Sequence, residues 1–306
     1  MLILFLIFAY HLHSLYICTH LNNTLIMRNI FILLLVFVAM ACSHDEPVAP
    51  VTAKLNMRDS AALIAVRDSL LTNVSFRYEW DFSKPEEMTG VKVKLDSVAN
   101  EYRVTGLSFP SLNPVLTYQW QIDEKHWDDY WVYIPKSIGN LSELKVFYAS
   151  GPILAPIPDE FFNCPLESLT IMGLLGPNGR FDDTSVPIDL IRLKPTIRRI
   201  VFVGCRFKNG LPEEILHELS DAPNLKNFCL NNCYLEGKVT PAYGLLWCEF
   251  DLTNNNFTEI DWELFENFTL NVPFLYCNKI DTKNIPPHIR QSQRWADFGD
   301  RLCGQR

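Results

Sequence analysis

No run or stripe of Lys and Arg occurs anywhere in the chain. A nucleic-acid partner needs such clusters to neutralise phosphates. Acidic residues number 35 against 27 basic, a formal charge of −8, which reads as ordinary solubility. Sequence signatures of familiar chemistry are missing too. There is no His-Glu-x-x-His zinc motif, no Walker A loop and no Gly-x-Ser-x-Gly nucleophile elbow. Downstream of residue 42 only four histidines occur, and His44, His126, His217 and His288 are scattered. Adjacent acids do occur, at Asp128-Asp129 and Glu213-Glu214, but such neighbours fit solvated faces. Near a helix start, as at Glu213-Glu214, they favour the dipole. The expectation is a chain that is not an enzyme, with no cofactor, no metal site and no nucleic-acid partner.

The N-terminal stretch lacks positive charge: residues 1–26 carry no Lys or Arg. A signal peptide wants a basic start, which places the true start at Met27. From there Arg28, an apolar run Ile30 to Met40, and small residues before Cys42 follow in the order of a secretory signal peptide. The run is too short for an ordinary membrane span. The alternative is a membrane helix over Leu2 to Ile17. Ala39-Met40-Ala41-Cys42 resembles a bacterial lipobox, although the usual Leu three places before the cysteine is absent. That resemblance implies lipidation at Cys42 and residues 1–41 as the signal peptide. Residues 42–58, polar and Pro-containing, then form a tether. "SHDE" after the cysteine is similar to the export signals of Bacteroidetes surface lipoproteins, implying a lipid-anchored outer-membrane protein exposed at the cell surface. Its only membrane contact is the anchor.

A repeat runs through the middle. The segments starting at Leu144, Leu166, Ile197, Leu225, Trp247 and Leu270 place apolar residues at the start, three later and five later. The clearer ones add Cys205, Cys233, Asn255 and Asn278 eight later, spaced by 28, 22 and 23 residues. Physically, the alternating pair (Phe228 and Leu230, Phe250 and Leu252) faces inward from a short strand. The Asn or Cys closes the turn and bonds backbone groups that would otherwise be orphaned. One such unit cannot bury its apolar face alone, so several must stack.

The pattern, L-x-x-L-x-L-x-x-N/C-x-L, is that of leucine-rich repeats. The segments Ile134 to Leu144, Ile157 to Leu169 and Leu211 to Leu225 resemble the convex sides of the plant type, and Gly237-Lys238-Val239 keeps part of its Gly-x-Ile-Pro. The resemblance implies an α/β solenoid: a curved leucine-rich-repeat array with short parallel concave strands, an N-terminal helical cap and a C-terminal cap. The expected boundaries are 59–103 for the N-terminal cap, 104–287 for about six to seven repeats, and 288–306 for the C-terminal cap. In the first cap, Asp59 or Ser60 can N-cap a helix whose Leu63, Val66 and Leu70 share one face. Trp80 follows it. The plant cap carries a cysteine pair, but no cysteine lies between Cys42 and Cys164. Trp295 and Phe298 are the expected anchors of the C-terminal cap. Gly173, Gly176, Pro177 and Gly179 mark a loop in one stretched repeat.

The largest irregularity is an insertion over 115–133. It holds Trp120, Trp127 and Trp131 with Asp123, Glu124, Asp128 and Asp129. Those aromatics either staple the insertion to the solenoid or stack against sugars. A glycan is therefore a partner in the second reading, and a purely structural envelope protein is a third.

Strand alternation assigns three outward columns. The middle one runs Tyr148, Thr170, Val201, Cys229, Asp251, Phe274. The one before it includes Val146, Arg199, Asn227, Glu249 and Val272, and the one after includes Met172, Asn231 and Tyr276. The expected partner-binding residues are Tyr148, Arg199, Val201, Asn227, Cys229, Asn231, Glu249, Asp251, Phe274 and Tyr276, facing another protein. The register also separates two cysteines four apart: Cys233 points inward beside Cys205, and Cys229 points outward. That separation argues against a shared metal or mutual disulfide for that pair, and Cys229 alone stays a functional candidate.

Overall fold

The computed structural model describes residues 53–71, 78–110, 112, 132–175, 185–207 and 209–305, all within one compact unit. The expected lipidation site Cys42 and the expected signal sequence lie outside the described residues, as do Trp120, Trp127, Trp131 and all of the expected 115–133 insertion except Val132 and Tyr133.

The unit opens with β1 (Lys54–Leu55) and α1 (Met57–Leu70). The folded unit therefore begins ahead of residue 58, the expected end of a tether. Leu55 is buried and pairs in register with Tyr102. The N-cap is Asn56 rather than Asp59 or Ser60, its side chain accepting from the amides of Arg58 (3.0 Å) and Asp59 (3.3 Å). Asp59 is instead fully buried. It accepts from Arg103 Nε and Nη2, both 3.1 Å, and from the Val104 amide at 2.8 Å. This carboxylate docks the helix onto the first long strand. Leu63, Val66 and Leu70 form the buried face of α1.

The hairpin β2 (Val91–Asp96) and β3 (Glu101–Phe109) follows. Gly106 pairs with Lys92 of β2 on one side and Val146 on the other, so β2 covers the open edge of the sheet. Its exposed Lys92 and Lys94 and a register shift blunt that new edge. Trp80 and Tyr78 pack on Phe109 beneath, and Trp80 Nε1 donates to the Thr89 carbonyl at 2.9 Å.

Thereafter each coil contributes one strand to a parallel sheet. After β4 (Val132–Tyr133) come β5 (Val146–Leu154), β6 (Ser168–Leu175), β7 (Arg199–Val203), β8 (Asn227–Asn231), β9 (Glu236–Val239) and β10 (Glu249–Asp251). The main sheet runs β1-β3-β5-β6-β7-β8-β10, and a bridge from Asp251 to Phe274 extends it by one coil. The order of the strands is the order of the chain, as in a solenoid-like α/β fold. A second ladder pairs β9 with β11 (Asn256–Ile260), so Gly237-Lys238-Val239 lie in a strand.

Opposite the strands, 3₁₀ turns at Lys136–Asn140, Asp159–Asn163, Ile188–Leu193 and Pro241–Gly244 stack with α2 (Glu213–Leu219) and α3 (Glu263–Glu266). Gly139 permits one such approach, because a Cβ there would lie 2.3 Å from the Glu160 carbonyl oxygen. Between the layers, two apolar residues per strand fill the core. Phe147, Leu169, Ile200 and Phe228 form one buried row and Ala149, Ile171, Phe202 and Leu230 the next.

The turn after each strand holds the coils together. Asn255 Oδ1 accepts from the Cys233 (2.9 Å) and Leu235 (3.1 Å) amides, and its Nδ2 donates to the Leu230 (2.7 Å) and Leu252 (2.8 Å) carbonyls. Asn278 repeats this one coil on, with the Phe257 amide and the Leu252 and Leu275 carbonyls. Cys205 and Cys233 hold the same place with weaker bonds, to the Ile171 carbonyl at 3.7 Å and the Phe202 carbonyl at 3.4 Å. The residue before each is left-handed: Gly204, Asn232, Asn254 and Cys277, with φ between 54° and 64°.

The tail closes the far end with α4 (Pro287–Arg290), α5 (Gln293–Phe298) and a 3₁₀ turn over Gly299–Leu302. Leu275 and Cys277 amides donate to the Arg301 and Cys303 carbonyls at 2.9 and 3.3 Å, and Gln305 bonds Leu275 and Ile280. Trp295 and Phe298 are half-buried; Ile289, Arg294 and Leu302 go deeper. Arg294 donates to the Leu264 and Leu270 carbonyls, occupying acceptors that the last coil leaves open.

Asn255→Ala strands three buried backbone groups, the Leu252 carbonyl keeping its bond from Asn278, and should destabilise the protein by about 3 kcal/mol or more in urea unfolding. Asn232→Gly, at an exposed position whose φ of 54° costs glycine nothing, should leave the midpoint unchanged or raise it. Equal effects of the two substitutions would contradict this account of the turn.

Candidate functional site

Register places the outward columns as strand alternation demands. The middle column is continuous from Ser108 through Tyr148, Thr170, Val201, Cys229 and Asp251 to Phe274. Beside it Arg199, Asn227 and Glu249 stand in register, and on the other side Met172, Val203 and Asn231 do. Tyr276 sits two residues beyond Phe274, its ring parallel to that of Phe274 with centroids 6.1 Å apart.

Two members of the columns differ from expectation. Val201 is only 6% exposed, in register between Thr170 at 9% and half-buried Cys229, so it fills the column rather than offering itself to a partner. Val272 is fully buried; the backbone of its coil joins the sheet at Phe274, and the tail's Arg301 donates to the Val272 carbonyl. The remaining expected residues are half-buried or exposed.

The face divides into two chemistries. Over β5 to β7 it is apolar or hydroxylic apart from Arg199. The Tyr148 hydroxyl donates to Met172 Sδ at 3.4 Å, and burial pushes the Tyr148 pKa up. Over β8 and β10 it is polar, before the Phe274 and Tyr276 rings. Asn227 Nδ2 donates to Glu249 Oε2 at 3.3 Å, and the Cys229 thiol donates to Asp251 Oδ2 at 3.6 Å. Burial, then the Asp251 charge, pushes the Cys229 pKa well up. A nucleophilic cysteine needs the opposite environment, one that stabilises thiolate. Cys233 lies on the other side of the strand, fully buried, and its pKa is raised by burial first and by Cys205 second. Cys164, Cys205, Cys229, Cys233, Cys248 and Cys303 carry free thiols.

Among the described residues no group of three His, Cys, Asp or Glu side chains is placed to hold a metal, and no helix is long and apolar enough to cross a membrane. An open groove of about 630 Å³ lies away from the outward columns, lined by Lys238, Asp261, Trp262, Glu263 and Glu266. Its charges are largely engaged, Asp261 by Lys238 at 2.8 Å and Glu266 by His288 at 2.7 Å.

No protein-family model matches the chain, and no curated protein matches it. Among solved structures it is similar to the LRR ectodomain of the receptor kinase SOBIR1 from Arabidopsis thaliana. Identity is 19%, the match covers 72% of this chain and 92% of that one, and the TM-score is 0.33.

The tail adds residues to the face that repeat reading misses. Arg301 lies 4.3 Å over the Phe274 ring and 4.7 Å over Phe298, and neighbouring Asp300 acts electrostatically on both Arg301 and Tyr276. Nothing in the repeat pattern signals these, because the tail lies outside it.

Asp251→Asn removes a negative charge that opposes the Cys229 thiolate, so the Cys229 pKa falls and more thiolate is present at a given pH. Iodoacetamide labelling of Cys229 at mildly alkaline pH, followed by peptide mass spectrometry, should speed up severalfold in the variant. An unchanged rate would separate the two side chains.

Proposed function

We propose that this chain is a leucine-rich-repeat protein that binds another protein through the outward face of its parallel sheet, without catalysing a reaction. It is held on a bacterial cell surface by a lipid on Cys42. The observation that carries the binding reading is the register. It aligns Tyr148, Cys229, Asp251 and Phe274 in one column, with Arg199, Asn227 and Glu249 alongside. A parallel solenoid needs only its inward columns for stability, so the outward ones are free to carry recognition. Half-buried aromatic side chains with few rotatable bonds are suited to that role. Fold analogy alone does not establish it.

The supporting arguments differ in kind. Anchoring rests on the order of basic residue, apolar run and small residues before Cys42. Surface exposure rests on the acidic residues that follow. The glycan reading rests on the composition of the 115–133 insertion, which holds Trp120, Trp127 and Trp131.

Surface labelling of intact cells followed by cross-linking tests both parts. The chain should be labelled without lysis, and Cys42→Ser should release it from the membrane fraction. A cross-linked partner should be lost with Tyr148→Ala plus Tyr276→Ala and kept with Trp127→Ala plus Trp131→Ala. The reverse pattern would replace the sheet face with the insertion as the binding site. Labelling only after lysis would remove the surface assignment.

A further inference from the structure

One half of the outward face carries charge that the coil has no use for. Glu249 and Asp251 stand on β10, and Asp300 enters from the tail. Among the described residues none of the three has a Lys, Arg or His nitrogen within 4 Å, whereas Glu167, Asp261 and Glu266 elsewhere do. Their hydrogen bonds come from neutral groups. Asp251 accepts from the Thr253 amide at 2.8 Å and the Cys229 thiol, and Glu249 from the Asn227 amide group. Such donors orient the Glu249 and Asp251 carboxylates and leave their charge in place.

Glu249 and Asp300 act electrostatically on Arg301, but the hydrogen bonds of that cation go elsewhere. Arg301 is committed to the Val272 carbonyl and Asn271 Oδ1. Arg199 lies on β7, with β8 between it and β10. Beside the acids stands a column of rings and guanidinium groups, alternating once past its first two rings. Tyr276 lies parallel to Phe274. Arg301 then lies over Phe274 and Phe298, and Arg294 lies 5.4 Å from both Phe298 and Phe268. This column fixes the Tyr276 ring at the border of the acidic patch. Fixed carboxylates next to a fixed aromatic ring suit a Lys or Arg side chain, through charge-assisted hydrogen bonds and ring-face attraction.

We propose that Glu249, Asp251, Asp300 and Tyr276 receive a basic segment of the protein partner, whose adjoining apolar residues lie along Tyr148, Met172 and Val203. This rests on the reading of the outward face as the partner face, and it adds the partner's chemistry and direction. The apolar half over β5 to β7 and the acidic half over β10 and the tail demand opposite ends of one segment. Arg199 at the border disfavours a segment that is basic throughout. The attraction also acts before contact, since three carboxylates outside direct ion pairs on one face steer an oppositely charged partner.

The test uses the full chain in detergent micelles and two fluorescein-labelled peptides, one with an apolar half followed by a lysine- and arginine-rich half, the other with glutamate in the basic positions. By fluorescence anisotropy the basic peptide should bind at least about tenfold more tightly, an advantage that shrinks as salt screens it. Glu249→Gln with Asp251→Asn and Asp300→Asn should remove that advantage. Glu143→Gln with Glu236→Gln and Glu259→Gln, exposed acids elsewhere, should keep it. Equal binding of the basic peptide to both triple variants, or no preference over the glutamate peptide, would overturn the proposal. A photoreactive benzoylphenylalanine in place of Asn231 separates the two levels of the reading. If the glutamate peptide cross-links there as well as the basic one, the partner face stands and its basic partner falls. If neither peptide cross-links, both fall.

Discussion

The turn that follows each strand leaves amide and carbonyl groups pointing into the interior, where an unpaired group costs about 1–3 kcal/mol. One side chain per coil resolves this. Asn255 and Asn278 each bond backbone of their own coil and of the coil before, so the bonds that close a turn also join two coils. That position is reachable because the preceding residue takes a left-handed conformation, at Gly204, Asn232, Asn254 and Cys277. Where Cys205 and Cys233 replace Asn, the thiol still donates but the bonds are longer, and Phe202 and Phe207, ring centroids 5.1 Å apart, pack beneath the turn of their own coil. Burial of such side chains is worth about 2 kcal/mol each.

Because every coil hands its polar needs to the next, the first and last coils are the exposed ends of the chain of bonds. The two ends are closed differently. At the first, an antiparallel strand covers the sheet edge and the buried Asp59 carboxylate ties the helix to Arg103. At the last, two guanidinium groups and the backbone of Arg301 and Cys303 take up the open carbonyls and amides. Burial lowers the pKa of both Arg294 and Arg301, yet guanidinium stays charged in proteins. The second closure reaches the outward face and changes its chemistry, so stability and recognition meet at Phe274.

Local spacing made the inward rows legible. A period of two within each strand and a recurring Asn or Cys placed Phe228 and Leu230 inside and set Cys229 and Cys233 on opposite sides. The resulting columns match the observed register. What local spacing does not carry is whatever depends on a neighbour distant in sequence. Val201 belongs to an outward column but is shielded in register between Thr170 and Cys229. Asp59 reads as a helix cap until Arg103, far along the chain, claims it. Leu55 reads as tether until Tyr102 pairs with it. Asp300 and Arg301 belong to no repeat, and only the folding back of the tail brings them to the face. The left-handed positions were present as Gly-Cys, Asn-Cys, Asn-Asn and Cys-Asn pairs, a signal that the eight-residue spacing alone does not isolate.

Native-state hydrogen exchange tests the ladder most directly. The amides of Cys233, Leu235 and Phe257 donate to ladder side chains rather than to ordinary strand partners. If the ladder joins the coils, these three amides should exchange only through global unfolding, as slowly as the amides of Phe228 and Leu230 in β8. If they exchange through local opening, at rates near those of exposed turn amides, the ladder does not hold the coils together and another interaction must.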